Sequence, residues 1–200
     1  MGNSSTKIFL VRHGETASNV ENRFRGRADI PLSENGFAQV HELADELRNV
    51  PFAAIYSSPL SRALQTAEAI AMKRSLGVVS HHGFNNLDIG DWTDRPKAEI
   101  QREYPELWER WTSAPERMQI PGGETIEAVR ARAFNALQSL VEAHKGEAFA
   151  VVTHRAVLKP LMSAMLGIPE PFFWKFRITT ASYSVFEHGK NGYMLSLIHI

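Results

Sequence analysis

Two short stretches of this chain leave little freedom in how it folds. Residues 7–11, Lys-Ile-Phe-Leu-Val, and residues 148–153, Ala-Phe-Ala-Val-Val-Thr, carry apolar, β-prone side chains at nearly every position. A strand with one buried face alternates apolar and polar residues, whereas an unbroken apolar run of this length suits a strand covered on both faces. Covering both faces takes helices above and below a mostly parallel sheet. Each stretch then runs directly into an arginine–histidine pair, Arg12-His13 before Gly14 in the first and His154-Arg155 in the second. In open α/β sheets ligands bind at the carboxyl ends of strands, which is where these side chains would sit.

The rest of the chain supplies the helices such a sheet needs. Ser33 is a cap residue ahead of Phe37, Val40, Leu43, Ala44 and Leu47, which keep a 3.6-residue period until Pro51 ends it. Residues 52–57 read as a strand. Ser58-Pro59 reads as the start of a helix with the stripe Leu60, Ala63, Leu64, Ala67 and Ile70. Arg62 lies in its first turns, where a guanidinium and free N–H groups suit an anion, or where it simply faces solvent. A third strand is expected at 78–82. Ile126, Val129, Ala133, Leu137, Leu140 and Val141 make the strongest helical stripe, and Leu158, Leu161, Met162 and Met165 mark a last helix. Pro160 fits that helix only near its start, which puts His154 at the strand-to-helix turn. Residues 181–187 and 193–200 read as two edge strands joined by a turn.

The expected architecture is a three-layer α/β/α sandwich, a single domain over residues 1–200, with a mostly parallel sheet and one antiparallel edge. Residues 83–121, with three tryptophans and four prolines, are the least regular part. They are expected to form a lid-like insertion over the sheet edge, helical over 99–111 except at Tyr104-Pro105, its aromatics serving core more than pocket. Residues 15–27 read as a loop in which Arg23, Arg25 and Arg27 alternate, and Arg25 is a candidate ligand contact.

Composition narrows the partners. Lys plus Arg and Asp plus Glu are each 22, so the formal charge is zero and no broad footprint for nucleic acid is expected. The chain has no cysteine, which removes thiol catalysis and thiolate metal sites. No apolar run approaches membrane-spanning length, and residues 1–5 lack the core of a signal peptide, so a cytoplasmic protein is expected. The terminal strand pair offers an edge, leaving monomer and homodimer both open.

The ordered motifs go further. Arg12-His13-Gly14-Glu15-Thr16 with Asn19, then Asp29-Ile30-Pro31-Leu32 with Gly36, then Tyr56 to Ala67 around Ser58-Pro59-Leu60-Ser61-Arg62, closely resemble the histidine phosphatase (phosphoglycerate-mutase-like) superfamily. Gly90-Asp91-Trp92, Pro121-Gly122-Gly123-Glu124-Thr125 and Val152-Thr153-His154 continue that pattern in order. The resemblance implies a phosphomonoester hydrolase of small phosphorylated metabolites, working through a phosphohistidine with no metal or other cofactor. It implies His13 as nucleophile, Arg12 and Arg62 as holders of the phosphoryl group, and His154 as the second pocket histidine. Gly14, Thr16 and Asn19 are implied to lie close to the ligand.

Two positions depart from the family pattern. Asn86 stands where the family places the glutamate that protonates the leaving oxygen. An amide can donate a hydrogen bond but not usefully exchange a proton, a difference worth about 10²–10⁴-fold in rate. Asp88, two residues on, is the candidate substitute acid. Arg155 replaces the usual glycine, and either adds a cationic contact for an acidic substrate or points to solvent. Two further readings stay open: phosphoglycerate-mutase-type transfer, against which the short insertion counts, and a catalytically weak phosphoryl-ligand binding protein.

Overall fold

The computed structural model describes residues 5–17, 21–72 and 74–199. Six strands form one mixed sheet: β1 (Thr6–Arg12), β2 (Phe52–Ser57), β3 (Val78–Ser80), β4 (Ala148–Thr153), β5 (Tyr183–Gly189) and β6 (Gly192–His199), in the order β3-β2-β4-β1-β5-β6. β4 pairs parallel with β1 and β2, β2 pairs parallel with β3, and β5 pairs antiparallel with β1 and β6. The two apolar stretches are therefore neighbours in the middle of the sheet.

Their alternate side chains enter different cores. Ile8, Leu10, Phe149 and Val151 pack with α5 (Ile126–Ala143) and α6 (Arg155–Leu166), whereas Phe9, Val11, Ala150 and Val152 pack with α1 (Glu34–Glu46) and α2 (Ser61–Met72). Every residue of β4 is buried, as a strand with helices on both faces requires.

Three local expectations need correction. β3 ends at Ser80, two residues short of the expected strand, because the chain turns at His82–Phe84 to reach the site. α2 begins at Ser61 rather than beside Ser58-Pro59. Its first amide is capped by Asp29 from the loop ahead of α1, with Ser61 N–H donating to Oδ1 at 2.7 Å and Ser61 Oγ–H to Oδ2 at 2.7 Å. Ser58 is engaged elsewhere. The 83–121 insertion does not ride over the sheet edge. Trp92, Ile100, Met118 and Ile120 join the core on the α5–α6 side, and α4 (Pro105–Ser113) reaches the carboxyl ends of the strands, after α3 (Lys97–Glu103) and the break at Tyr104-Pro105.

Candidate functional site

Strand register builds the site. Arg12 pairs with Thr153 across β1 and β4, and Ser57 with Val152 across β2 and β4. The ladder runs one residue further, with His13 N–H donating to Thr153 carbonyl at 3.1 Å and Ser58 N–H to Val152 carbonyl at 2.9 Å. His13, His154 and Ser58, remote in sequence, are thus the first residues beyond three adjacent strand ends. The two imidazoles lie 5.0 Å apart between centroids, and His154 Nε2 shares a 2.7 Å hydrogen bond with Ser58 Oγ. Ser58 Oγ also accepts the Leu60 N–H at 3.4 Å, just ahead of α2.

The two imidazoles line a cavity of about 320 Å³ together with Arg12, Arg25, Arg62, Asn86, Lys97 and Arg155, and with Trp108, Trp111 and Trp174 along its sides, while Ser58 is wholly buried off its wall. Among the described residues no carboxylate lines it. Arg62 is 1% exposed and held by two loop carbonyls, donating to Ala28 at 2.8 Å and Gly26 at 3.2 Å. Arg12 donates to the Ile178 carbonyl at 2.7 Å. Burial first, then Arg155 and Arg25, pull Arg12 down to about 9, and burial with Arg25 pulls Arg62 down to about 10. Arg25 is drawn down to about 10 by burial and Arg155. All three stay charged at neutral pH, and their mutual repulsion is what a bound anion relieves.

The histidines respond oppositely to the same field. Burial, then Arg62, hold both well below the usual value, with Arg12 adding to His13 and His13 itself adding to His154. His13 is therefore neutral, and its Nδ1 lies 2.7 Å from the Gly14 carbonyl. A carbonyl only accepts, so the proton sits on Nδ1 and Nε2 keeps its lone pair.

Unmet hydrogen bonding concentrates here. Five buried side-chain atoms lack a partner among the described residues, and three of them, Arg12 Nε, His154 Nδ1 and Asn86 Oδ1, belong to the cavity wall. Buried polar groups are seldom left unpaired, so this clustering marks a place for a polar ligand.

Asn86 and Asp88 part company. Asn86 Nδ2 donates to the Gly26 carbonyl at 2.6 Å, and its backbone carbonyl is held by Arg27 at 3.1 Å and Arg132 at 3.0 Å. Asp88 is not on the cavity wall: Oδ2 meets Arg27 at 3.3 Å and Oδ1 accepts the Gly90 N–H at 3.0 Å. The candidate substitute acid is thus held by Arg27 and the turn at Gly90 and does not face the cavity. Gly14 and Thr16 also lie behind the wall rather than on it. Gly14 is a packing position, where a Cβ would meet Val40 Cγ1 at 2.7 Å and the Gly36 carbonyl at 2.8 Å, and Thr16 is wholly buried. Asn19 lies outside the described residues. Arg25 and Arg155 do line the cavity.

Sequence reading missed the parts played by Ser58, whose Ser-Pro context signalled a cap, and by Asp29, which stood in the Asp29-Ile30-Pro31-Leu32 motif with no role assigned. It also placed the tryptophans mainly in the core. Trp92 is there, but Trp108 and Trp111 wall the cavity. The site can bind a tetrahedral dianion, present a neutral imidazole nitrogen to it and stabilise charge spread over its oxygens.

Comparison with known proteins supplies the family and the fold. The family model described as histidine phosphatase superfamily (branch 1) matches residues 8–200. Phosphoserine phosphatase 1 of Hydrogenobacter thermophilus is 35% identical over 179 residues, covering 90% of this chain and 85% of that protein. Probable phosphoglycerate mutase GpmB of Yersinia pestis is 32% identical over 190 residues, covering 95% and 88%. The solved structure of YhfR from Bacillus stearothermophilus superposes with a TM-score of 0.91 at 34% identity, covering 96% of each chain.

Proposed function

The chain belongs to the histidine phosphatase superfamily, and from that premise we propose that it hydrolyses small phosphomonoesters through a phosphohistidine on His13. The observation that carries this reading is the Nδ1–Gly14 hydrogen bond of a neutral His13, which leaves Nε2 free between Arg12, Arg62 and His154. In the first step Nε2 attacks phosphorus and the bond to the leaving oxygen breaks, with that oxygen taking the electron pair. In the second, water attacks the phosphohistidine, inorganic phosphate leaves and His13 is regenerated. The arginines neutralise the equatorial oxygens in both steps, so the reading calls for no metal ion.

Asn86 shapes the rate. Its amide can hydrogen-bond the leaving oxygen but not protonate it, so esters whose leaving groups depart as stable anions are favoured. Aryl phosphates are expected to turn over far faster than alkyl phosphates, and equal rates on both would show a general acid at work. A catalytically weak phosphoryl-ligand binder is the second reading, favoured by the same asparagine. One experiment separates them: incubate with an aryl phosphate, quench in denaturant and weigh the protein. Phosphate on His13, absent in His13→Ala, with release of inorganic phosphate supports the hydrolase. Binding without either product supports the second reading.

A further inference from the structure

A second cavity, about 530 Å³, adjoins the first, and Arg12, Arg155 and Trp174 line both. Its remaining charged lining is Lys159, Arg177 and Glu15, so cations outnumber carboxylates four to one there. Lys159 is the unusual member. It is 2% exposed, sits inside α6, and among the described residues takes part in no hydrogen bond or ion pair. Its Nζ rests instead 4.5 Å and 4.4 Å from the ring centroids of Phe173 and Trp174. Arg155 and Lys159 are four residues apart on one helix, so they present cations on successive turns, about 6 Å apart along the axis.

A buried ammonium without a counter-charge is costly, and aromatic faces repay only part of that. Burial, then Arg155 and Arg12, bring Lys159 down to about 7, with Glu116 alone pulling the other way. Glu116 is no ion-pair partner for it. One carboxylate oxygen accepts from the Phe172 and Phe173 N–H groups, both at 2.7 Å, and the other is buried with no partner among the described residues.

We propose that this cavity is a second anion subsite, in which Lys159, Arg155 and Arg177 receive a second negatively charged group, carboxylate or phosphate, of the molecule whose phosphoryl group sits at His13. The inference rests on the phosphoryl-site reading and deepens it: the substrates served best are doubly anionic. Lys159 and Arg177 then act in selection rather than in the chemistry, and Arg155 spans both groups.

The test uses equilibrium binding, so it is readable with or without turnover. In the His13→Ala protein, titration calorimetry compares matched ligands: 3-phosphoglycerate against glycerol 3-phosphate for a carboxylate, and fructose 1,6-bisphosphate against fructose 6-phosphate for a phosphate. The doubly anionic member of at least one pair is expected to bind about tenfold or more tightly, as charged hydrogen bonds allow, and the pair that shows it identifies the group. Lys159→Met, which keeps the chain's bulk among the aromatic rings, is expected to bring that ratio to within about twofold, and Lys159→Arg to restore it. Arg177→Gln, at an exposed position, is expected to lower it in part and serves should Lys159→Met fail to fold. Equal affinities within both pairs, or a ratio untouched by Lys159→Met and Arg177→Gln, overturn the subsite. Loss of aryl phosphate hydrolysis by the protein carrying His13 overturns the phosphatase reading and leaves these binding ratios to decide the subsite alone.

Discussion

Asn86 Nδ2 and Arg62 donate to one and the same acceptor, the Gly26 carbonyl. A glutamate at position 86 would bring a carboxyl oxygen against that carbonyl, an arrangement tolerated only when the carboxyl keeps its proton. The protonated form is the one that can deliver a proton to a leaving alkoxide. Asn86→Glu is therefore expected to raise kcat on alkyl phosphates by about 10²-fold or more and to change aryl phosphate turnover much less. Steady-state assays on the two ester classes check this. No gain on alkyl esters would mean that another group already supplies the proton. Asp88 is held by Arg27 and the Gly90 N–H, off the cavity wall.

At the scale of elements, the site depends on a loop that borrows its rigidity from a helix. Asp29 caps α2 through Ser61 N–H and Oγ–H, and the same loop offers the Gly26 and Ala28 carbonyls that aim Arg62. Gly26 has φ +50°, and a Cβ there would meet Ile89 Cγ1 at 2.4 Å, so only glycine lets the loop pass this close. Removing the cap loosens the helix start and the aim of the guanidinium together. Asp29→Ala is expected to cost about 1 kcal/mol in a urea melt and to lower kcat/KM by on the order of tenfold, since a misaimed phosphoryl clamp loses more than its share of binding. A normal kcat/KM in a protein with the expected stability loss would uncouple the two roles. The 81–90 segment is tied down similarly, with Thr153 Oγ1–H donating to the Phe84 carbonyl at 2.7 Å and Arg132 to the Gly83 carbonyl at 2.8 Å.

Across the whole molecule, the site is a store of unfavourable electrostatics that the two cores must outweigh. Arg12, Arg25, Arg62, Lys97 and Arg155 are buried wholly or in part around two neutral imidazoles, and folding forgoes protonation of both histidines. The unfolded chain binds those protons below about pH 6.5, whereas the folded chain does so only at much lower pH. Stability is accordingly expected to fall as pH drops from about 6.5 to 5, by up to about 1.4 kcal/mol per pH unit for each of His13 and His154. Urea melts across that range, with His154→Asn as the comparison, measure the slope; a flat profile in the parent chain would contradict neutral histidines. A bound phosphate analogue should flatten it, because a dianion favours the protonated imidazoles.

The layered fold was legible before any coordinate because it is written in local pattern. Runs such as 148–153 report burial on both faces, and the stripe from Ile126 to Val141 reports a helix with one buried side, each set by period and polarity alone. The residue types with phosphoryl chemistry were legible too, since Arg12, His13 and His154 abut those strands directly. What local pattern cannot carry is distance between residues remote along the chain, or the direction of a side chain with competing partners. Only the pairing of Arg12 with Thr153 brings His13 to His154. Only the tertiary structure shows Asp88 held by Arg27, Ser58 bonded to His154 at 2.7 Å, and Asp29 holding the start of α2. Lys159 shows the same limit: its spacing reads as one more position on a buried helix, and tertiary packing alone places its charge on a second cavity.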